Sequence, residues 1–489
     1  AGHRRPEPRP EPRRGPTVTG RPAPSIGRDP STADRAGSQV RPLVDAGRSK
    51  VAAGAFDEAL RIARELASLA DQDPTGEARQ WSRLIEGEAL IGLGDWEEAL
   101  APLETAVDDA KRLGATEPIG RALIAFGRAC HHTGRYDRAR TAFGEALTTW
   151  EAPPLERSTI LRFQGDIALR RGEIEVAELN WSDALDAARR SGSHDAEARA
   201  LRGMANCTAI RGHYPEALEQ LVEAYQMLGR DADPHVVAGI LIRIVELDNV
   251  IGRYGPALAR VEALLDVAQR GGLRVAWAEA MALEAEALAA VGQSSEAAEA
   301  AAQAISVARH LGVRGLDAGL RAARVCCDVG RPAEALAALD EMPDAPPSLI
   351  DETGTQLLAV RARAVARTDP ALARELANDA LNRPSPLLAI RAARIRLDAA
   401  LALHDTGADS QARAAVKRGL KSLQGSGNKG LKLELLIAMY QAAPDARVVE
   451  AAARTALRVM EDLPEHAVET FRRRAIIGDA LARWKEQTV

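Results

Sequence analysis

A chain of 489 residues exceeds the ~250–300 residues at which a single hydrophobic core stops growing, so it forms several domains or an elongated array. Apolar residues make up 46% but aromatics only 3%. The dominance of Ala and Leu favours closely approaching helices and speaks against β-sandwiches, which need β-branched and aromatic side chains. A net charge of −5 with both signs well mixed argues against a dedicated nucleic-acid binder, which carries a strong basic excess.

Residues 1–36 differ from everything that follows. The run Arg4-Arg5-Pro6-Glu7-Pro8-Arg9-Pro10-Glu11-Pro12-Arg13-Arg14 is Pro-rich and charged. It cannot bury enough surface to offset its ordering entropy, so a disordered arm of polyproline-II character is expected. The plain reading is a solvated linker; the others are a tail that docks on a partner, or a protease substrate cut among its arginines. No apolar stretch resembles a signal peptide, and no run approaches the ~18–20 residues of a membrane helix, so a cytoplasmic location is expected. Seven lysines against 57 arginines read as the coding bias of a GC-rich, bacterial genome. Cys130, Cys207, Cys326 and Cys327 lack CxxC spacing and read as reduced thiols.

From about residue 40 a pattern recurs: Gly, a polar residue, an aromatic or turn residue, two more residues, then Ala. The copies begin at Gly54, Gly94, Gly134, Gly172, Gly212, Gly252, Gly292, Gly330 and Gly407, with a degenerate one at Thr368. Successive steps are 40, 40, 38, 40, 40, 40, 38, 38 and 39 residues. Gly ends a first helix in the left-handed conformation. An Asp, Ser or Pro beside it is expected to start the second. The Ala five residues on sits where the two helices cross. Gly87, Gly127, Gly165 and Ala205 supply the matching small position on the first helix, with bulky Phe143, Trp181 and Leu221 between the small positions of the second.

These small, aromatic and small positions resemble the tetratricopeptide repeat (TPR) over roughly residues 40–475. The departure is the period, near 40 where the family's usual repeat is ~34 residues. The longer form resembles arrays attached to bacterial signalling proteins such as Ser/Thr kinases, STAND-type ATPases and transcriptional activators. The resemblance implies an all-α, right-handed α-solenoid of about ten to eleven hairpins. Its expected parts are the arm 1–36, the repeat array 37–464 and a capping helix over 465–489.

Candidate chemistry is sparse. Gly425-Ser426-Gly427-Asn428-Lys429-Gly430 matches GxGxxG, but a helical pattern precedes it where the dinucleotide fingerprint needs a strand. It reads as a flexible loop between hairpins. His131 and His132 are adjacent, point about 100° apart on a helix and make a poor metal pair. No clustered nucleophile, acid and base emerges, so an enzyme is not expected, nor a cofactor or metal.

What remains is the groove. In the family, first helices build the concave wall on which partner peptides lie. The wall positions fall 13, 10, 6 and 3 residues before each turn Gly. They give Arg121, Arg128 and His131; then Arg162 and Asp166; then Arg199, Arg202 and Asn206. Further on they give Glu246 and Asn249, then Glu279 and Glu286. The groove is expected to be basic in its first half and acidic beyond, with arginine forks suited to the carboxylates of an acidic protein or peptide partner. The expected function is a protein–protein interaction scaffold, adaptor or sensor, with neither nucleic acid nor membrane as partner. The alternative is the regulatory array of a larger signalling polypeptide, the missing Met and the arm being the scar of a lost upstream domain.

Overall fold

The computed structural model describes residues 30–73, 75–343, 350–384 and 389–488, and every regular element among them is helical. The helices pair as hairpins. The first five are α1 (Pro30–Ala52) with α2 (Phe56–Leu69), α3 (Glu77–Leu93) with α4 (Trp96–Leu113), α5 (Thr116–His132) with α6 (Tyr136–Thr149), α7 (Pro154–Arg170) with α8 (Ile174–Ser191), and α9 (His194–Ile210) with α10 (Tyr214–Gln226). Next come α11 (Pro234–Ile251) with α12 (Tyr254–Arg270), and α13 (Arg274–Val291) with α14 (Ser294–Ala308). A 3₁₀ segment, Arg309–Gly315, leads into α15 (Leu316–Asp328) with α16 (Pro332–Asp340). The array continues with α17 (Ile350–Val365) and α18 (Pro370–Asn382), α19 (Ala389–Asp405) and α20 (Asp409–Ser422), and α21 (Gly430–Ala442) and α22 (Ala446–Met460). It ends with α23 (Glu465–Arg472) and α24 (Ala475–Thr488).

The repeat signal has its expected physical basis. All nine turn glycines have φ between 72° and 92°, the left-handed region that other residues enter only with strain. At Gly94 the turn closes by paired bonds: Gly94 N–H donates to Ile91 O at 3.1 Å and Asp95 N–H to Leu90 O at 2.9 Å, satisfying carbonyls the helix would orphan. The crossing alanines, Ala59 through Ala412, are 0–1% exposed. A Cβ added to Gly127 would sit 2.7 Å from Phe143, and one on Gly165 would sit 2.7 Å from Trp181, so small and bulky positions interlock.

Four details depart from the sequence reading. At the first four turns the second helix is not side-chain capped: Asp95 makes no cap bond, and Ala55, Arg135 and Glu173 hold the same place. There the turn geometry alone feeds the second helix, whereas Pro215, Pro332 and Pro370 stand in the first turn of α10, α16 and α18 as expected. Side-chain caps lie at Ser193 and Asp233, which start first helices, and at Asp369, beside the degenerate turn Thr368, and Asp445, which start second helices. The expected capping helix is two, α23 and α24, and they bury Phe471 and Ile477. The loop 425–430 is not loose: Ser426 and Asn428 are buried, and Asn428 Oδ1 accepts from Leu431 N at 3.0 Å to start α21. Of the arm expected over 1–36, residues 1–29 lie outside the described residues, and the backbone from Pro30 onward already belongs to α1.

Successive odd-numbered helices touch one another from α1 to α21, which places them on the inner wall. The winding also brings distant turns together. α21 packs on α11 and α23 on α13. Gly252 and Gly430 meet backbone to backbone, where a Cβ on Gly252 would lie 3.0 Å from Gly430 N. Arg474 on the α23–α24 turn donates to Ala290 O at 2.6 Å. The C-terminal hairpins therefore close over the middle of the array.

Candidate functional site on the inner wall

Residues at the wall positions of α5, α7 and α9 form a mostly basic surface. Arg121 donates to Glu117 at 2.9 Å, lies 3.5 Å from Glu156 and stacks over the Trp150 ring. Arg199 pairs with Asp233 at 2.6 Å. Among the described residues, Arg128, Arg162 and Arg202 have no ion pair within 4.0 Å. Arg162 rests over Phe163, 4.1 Å from the ring centroid, and Arg202 packs against α11, filling the space a side chain on Gly239 would need.

The electrostatics follow from this crowding. Burial lowers the pKa of Arg128, which Glu88 only partly offsets. Burial brings Arg162 down to about 9, with Arg199, Arg202 and Arg128 pushing the same way and Asp166 opposing. Arg202 is lowered chiefly by burial and by Arg199 and Arg243, against the pull of Asp166. Burial raises the Glu88 and Asp166 carboxyls despite the surrounding arginines. Positive charge is thus held here at a cost, with too few carboxylates to compensate it.

His131 is not a groove ligand. It is buried, with Tyr136 and Phe163 edge-on to its ring, and burial drops its pKa to about 3, so it stays neutral. It packs the wall from behind. Asn206 Oδ1 accepts from Arg243 Nε at 3.1 Å. Asn249 Nδ2 donates to Leu283 O at 3.0 Å. These two brace neighbouring helices.

Further along, the expected acidic stretch is present in sequence but not as free charge. Arg321 on α15 is a hub that lies 2.5 Å from Glu246, 3.0 Å from Glu286 and 3.8 Å from Glu279. Glu246 also pairs with Arg243. Arg324 reaches Asp398 at 2.8 Å and Glu286 at 3.6 Å, and Asp398 accepts again from Arg363 at 3.0 Å. Burial would raise Glu246, yet Arg243 and Arg321 overcome it and hold its carboxyl at about 2. Glu279, reached only at long range, is driven by burial up to about 8. The acidic half is therefore a neutralised seam between helices.

The wall count stopped short of the last repeats. Continued to Gly330 it yields Asp317 and Arg324, and continued to Gly407 it yields Arg394. Arg243 and Arg321 share a fifth position, nine residues before their turn glycines, because the buried stripe of a helix is wider than four rows.

Residues 84–152 and 156–229 match the family described as Tetratricopeptide repeat. Those residues are tetratricopeptide repeats, and the same turn glycine and buried alanine carry the array on to α20. No curated protein sequence matches the chain significantly. Similar solved structures include a Rap protein complexed with competence and sporulation factor, 15% identical, covering 88% of this chain and 99% of that one with a TM-score of 0.46. The Cut9–Hcn1 hetero-tetramer of the APC/C is 13% identical, covering 90% and 89%, with a TM-score of 0.45. The apo quorum sensor NprR from B. thuringiensis is 11% identical, covering 79% and 99%, with a TM-score of 0.43. Among the described residues, no helix is long and apolar enough to cross a membrane.

Proposed function

We propose that this chain is a cytoplasmic protein-binding scaffold or sensor, and that the basic stretch of its inner wall holds an acidic segment of a partner protein. The observation that carries this reading is the row Arg128, Arg162 and Arg202 on three successive inner helices, none with an ion pair of its own among the described residues. An arginine half-buried without a carboxylate has already lost part of its hydration, so an arriving carboxylate meets a fork of donors at reduced desolvation cost. Asp166 and Glu88 between them keep the row from repelling itself apart. The seam beyond α11, where most wall charges pair with one another, supports the same division of labour, since it leaves the basic stretch as the longest run of unpaired like charge on the wall.

The test is an affinity pull-down from native lysate with the intact chain and with an Arg128→Glu, Arg162→Glu, Arg202→Glu variant. A partner retained by the first should be lost by the second, a drop of roughly a hundredfold or more if two charge-assisted contacts are removed. Helical circular dichroism should be unchanged. Equal retention by both proteins defeats the basic-wall reading.

A further inference from the structure

Beyond the basic stretch, the wall encloses a cavity of about 330 Å³ between α9, α11, α13, α15, α17 and α19, a size at the small end of ligand pockets. It is amphipathic. Ile242, Leu247, Leu320 and Ile390 give it an apolar side, while charged residues from four inner helices line the rest.

Most of those charges are matched to one another. Arg321 and Arg243 serve Glu246 and Glu286, and Arg391 donates to Glu352 at 2.6 Å. Three are not. Among the described residues, Arg394 on α19 and Asp317 on α15 have no ion pair within 4.0 Å. Glu279 on α13 has only the Arg321 Nε at 3.8 Å. Two further side chains that line the cavity are more than nine-tenths buried and leave a polar atom without a partner: Asn249 at Oδ1 and Arg324 at one terminal nitrogen. Buried polar groups are almost always satisfied, and exceptions of both signs around one cavity point to a ligand with both a donor and an acceptor.

We infer that this cavity is a second binding site, for a small zwitterion: a free amino acid with an aliphatic side chain. Its carboxylate meets Arg394, its ammonium meets Glu279, and its side chain lies against Ile242, Leu247 and Leu320. The site shares no residue with the row Arg128, Arg162 and Arg202, so it stands or falls separately from the partner-binding reading. A chemical consequence follows. Burial, reinforced by Asp317, Glu246 and Glu286 and opposed by Arg321, holds the Glu279 carboxyl up at about 8. It is therefore mostly protonated at neutral pH. Docking an ammonium beside it transfers that proton to the buffer, and the carboxylate that remains pairs with the ligand.

The experiment is isothermal titration calorimetry of the intact chain with leucine, isoleucine and valine, and with two single-charge controls, isoamylamine and isovalerate. At least one amino acid should give a saturable one-to-one heat, and each control should bind about tenfold more weakly or worse. Titrations in two buffers of different ionisation enthalpy should reveal proton release on binding. Arg394→Gln and Glu279→Gln should each weaken amino-acid binding by about tenfold, and Glu279→Gln should also abolish the proton release. The Arg128→Glu, Arg162→Glu, Arg202→Glu variant should bind amino acid as the parent does. No saturable heat with any of the three amino acids, or controls that bind as well as they do, overturns the inference; so does unchanged affinity in a folded Arg394→Gln protein.

Discussion

From α5 to α9 and from α11 to α19 the inner wall uses the same helical positions, yet the charges placed there do opposite things. In the first stretch, arginines face arginines, and Arg128, Arg162 and Arg202 go unpaired. In the second, acids at the same positions meet arginines from the next helices, and Arg321 alone gathers Glu246, Glu279 and Glu286. The second stretch is also where the winding closes, with Arg474 reaching Ala290 O and Gly252 touching Gly430. A wall charge in a repeat array is thus either potential for a partner or mortar between repeats. Which one it becomes is decided by the residue one or two repeats away.

The largest effect that could break this contrast is at Asp398. It is 1% exposed and accepts from both Arg324 and Arg363. Asp398→Ala should cost about 3–5 kcal/mol, because two buried guanidinium groups lose their counter-charge. Asp166→Ala in the basic stretch, where no ion pair within 4.0 Å is broken, should cost under ~1 kcal/mol. Urea denaturation of both variants checks the pair, and equal losses would erase the distinction between the two stretches.

Next in size are the pH effects, which run in opposite directions inside one network. Glu246 is held at about 2 against an ordinary 4.5. Its contribution is fully present above pH ~4.5 and is lost as pH falls toward 2, about 2–3 kcal/mol in all. Glu279, raised from 4.5 to about 8, is protonated in the fold but ionised in the unfolded chain between those values. Stability therefore falls as pH rises from about 4.5 to 8, and the penalty is complete above 8. Glu246→Gln should be destabilising at pH 7 and nearly neutral at pH 2. Glu279→Gln should be nearly neutral at pH 4 and stabilising at pH 8, on the order of 1–2 kcal/mol. Thermal melts across that range decide it, and two variants that shift with the same sign would show that Arg321 does not discriminate between its partners.

The array itself was open to reading from the sequence, because each hairpin is a local object. A left-handed Gly, an Ala at a helix crossing and a Gly opposite Phe143 or Trp181 all act within about 40 residues of one another. The groove residues could be placed on one wall for the same reason. Their partners could not. Arg324 and Asp398 are 74 residues apart, and Arg474 and Ala290 are 184 apart. Such pairs depend on small rotations accumulated over several repeats, which no single copy of the motif encodes. His131 shows the other limit. Its spacing put it among the wall residues, yet its ring is enclosed by Tyr136 and Phe163, because an aromatic ring at the edge of the stripe is drawn into the packing layer.

The smallest predicted effect is the most discriminating. Arg162 is half-buried, has no ion pair and gains only the face of Phe163 at 4.1 Å. Replacing it with Leu removes a cation–π contact of ~0.5–1 kcal/mol and also removes the cost of dehydrating a lone guanidinium. The two nearly cancel, so Arg162→Leu should change stability by less than ~1 kcal/mol, on the stabilising side. Arg324→Leu, on the wall of the second stretch, leaves Asp398 and Glu286 short of a counter-charge and should cost about 3–5 kcal/mol. If Arg162→Leu proves as damaging as Arg324→Leu, the arginine row is a structural support, and its free charge no longer argues for a partner. If Arg162→Leu folds as well as the parent and loses only binding, Arg162 is kept in the wall for what it holds.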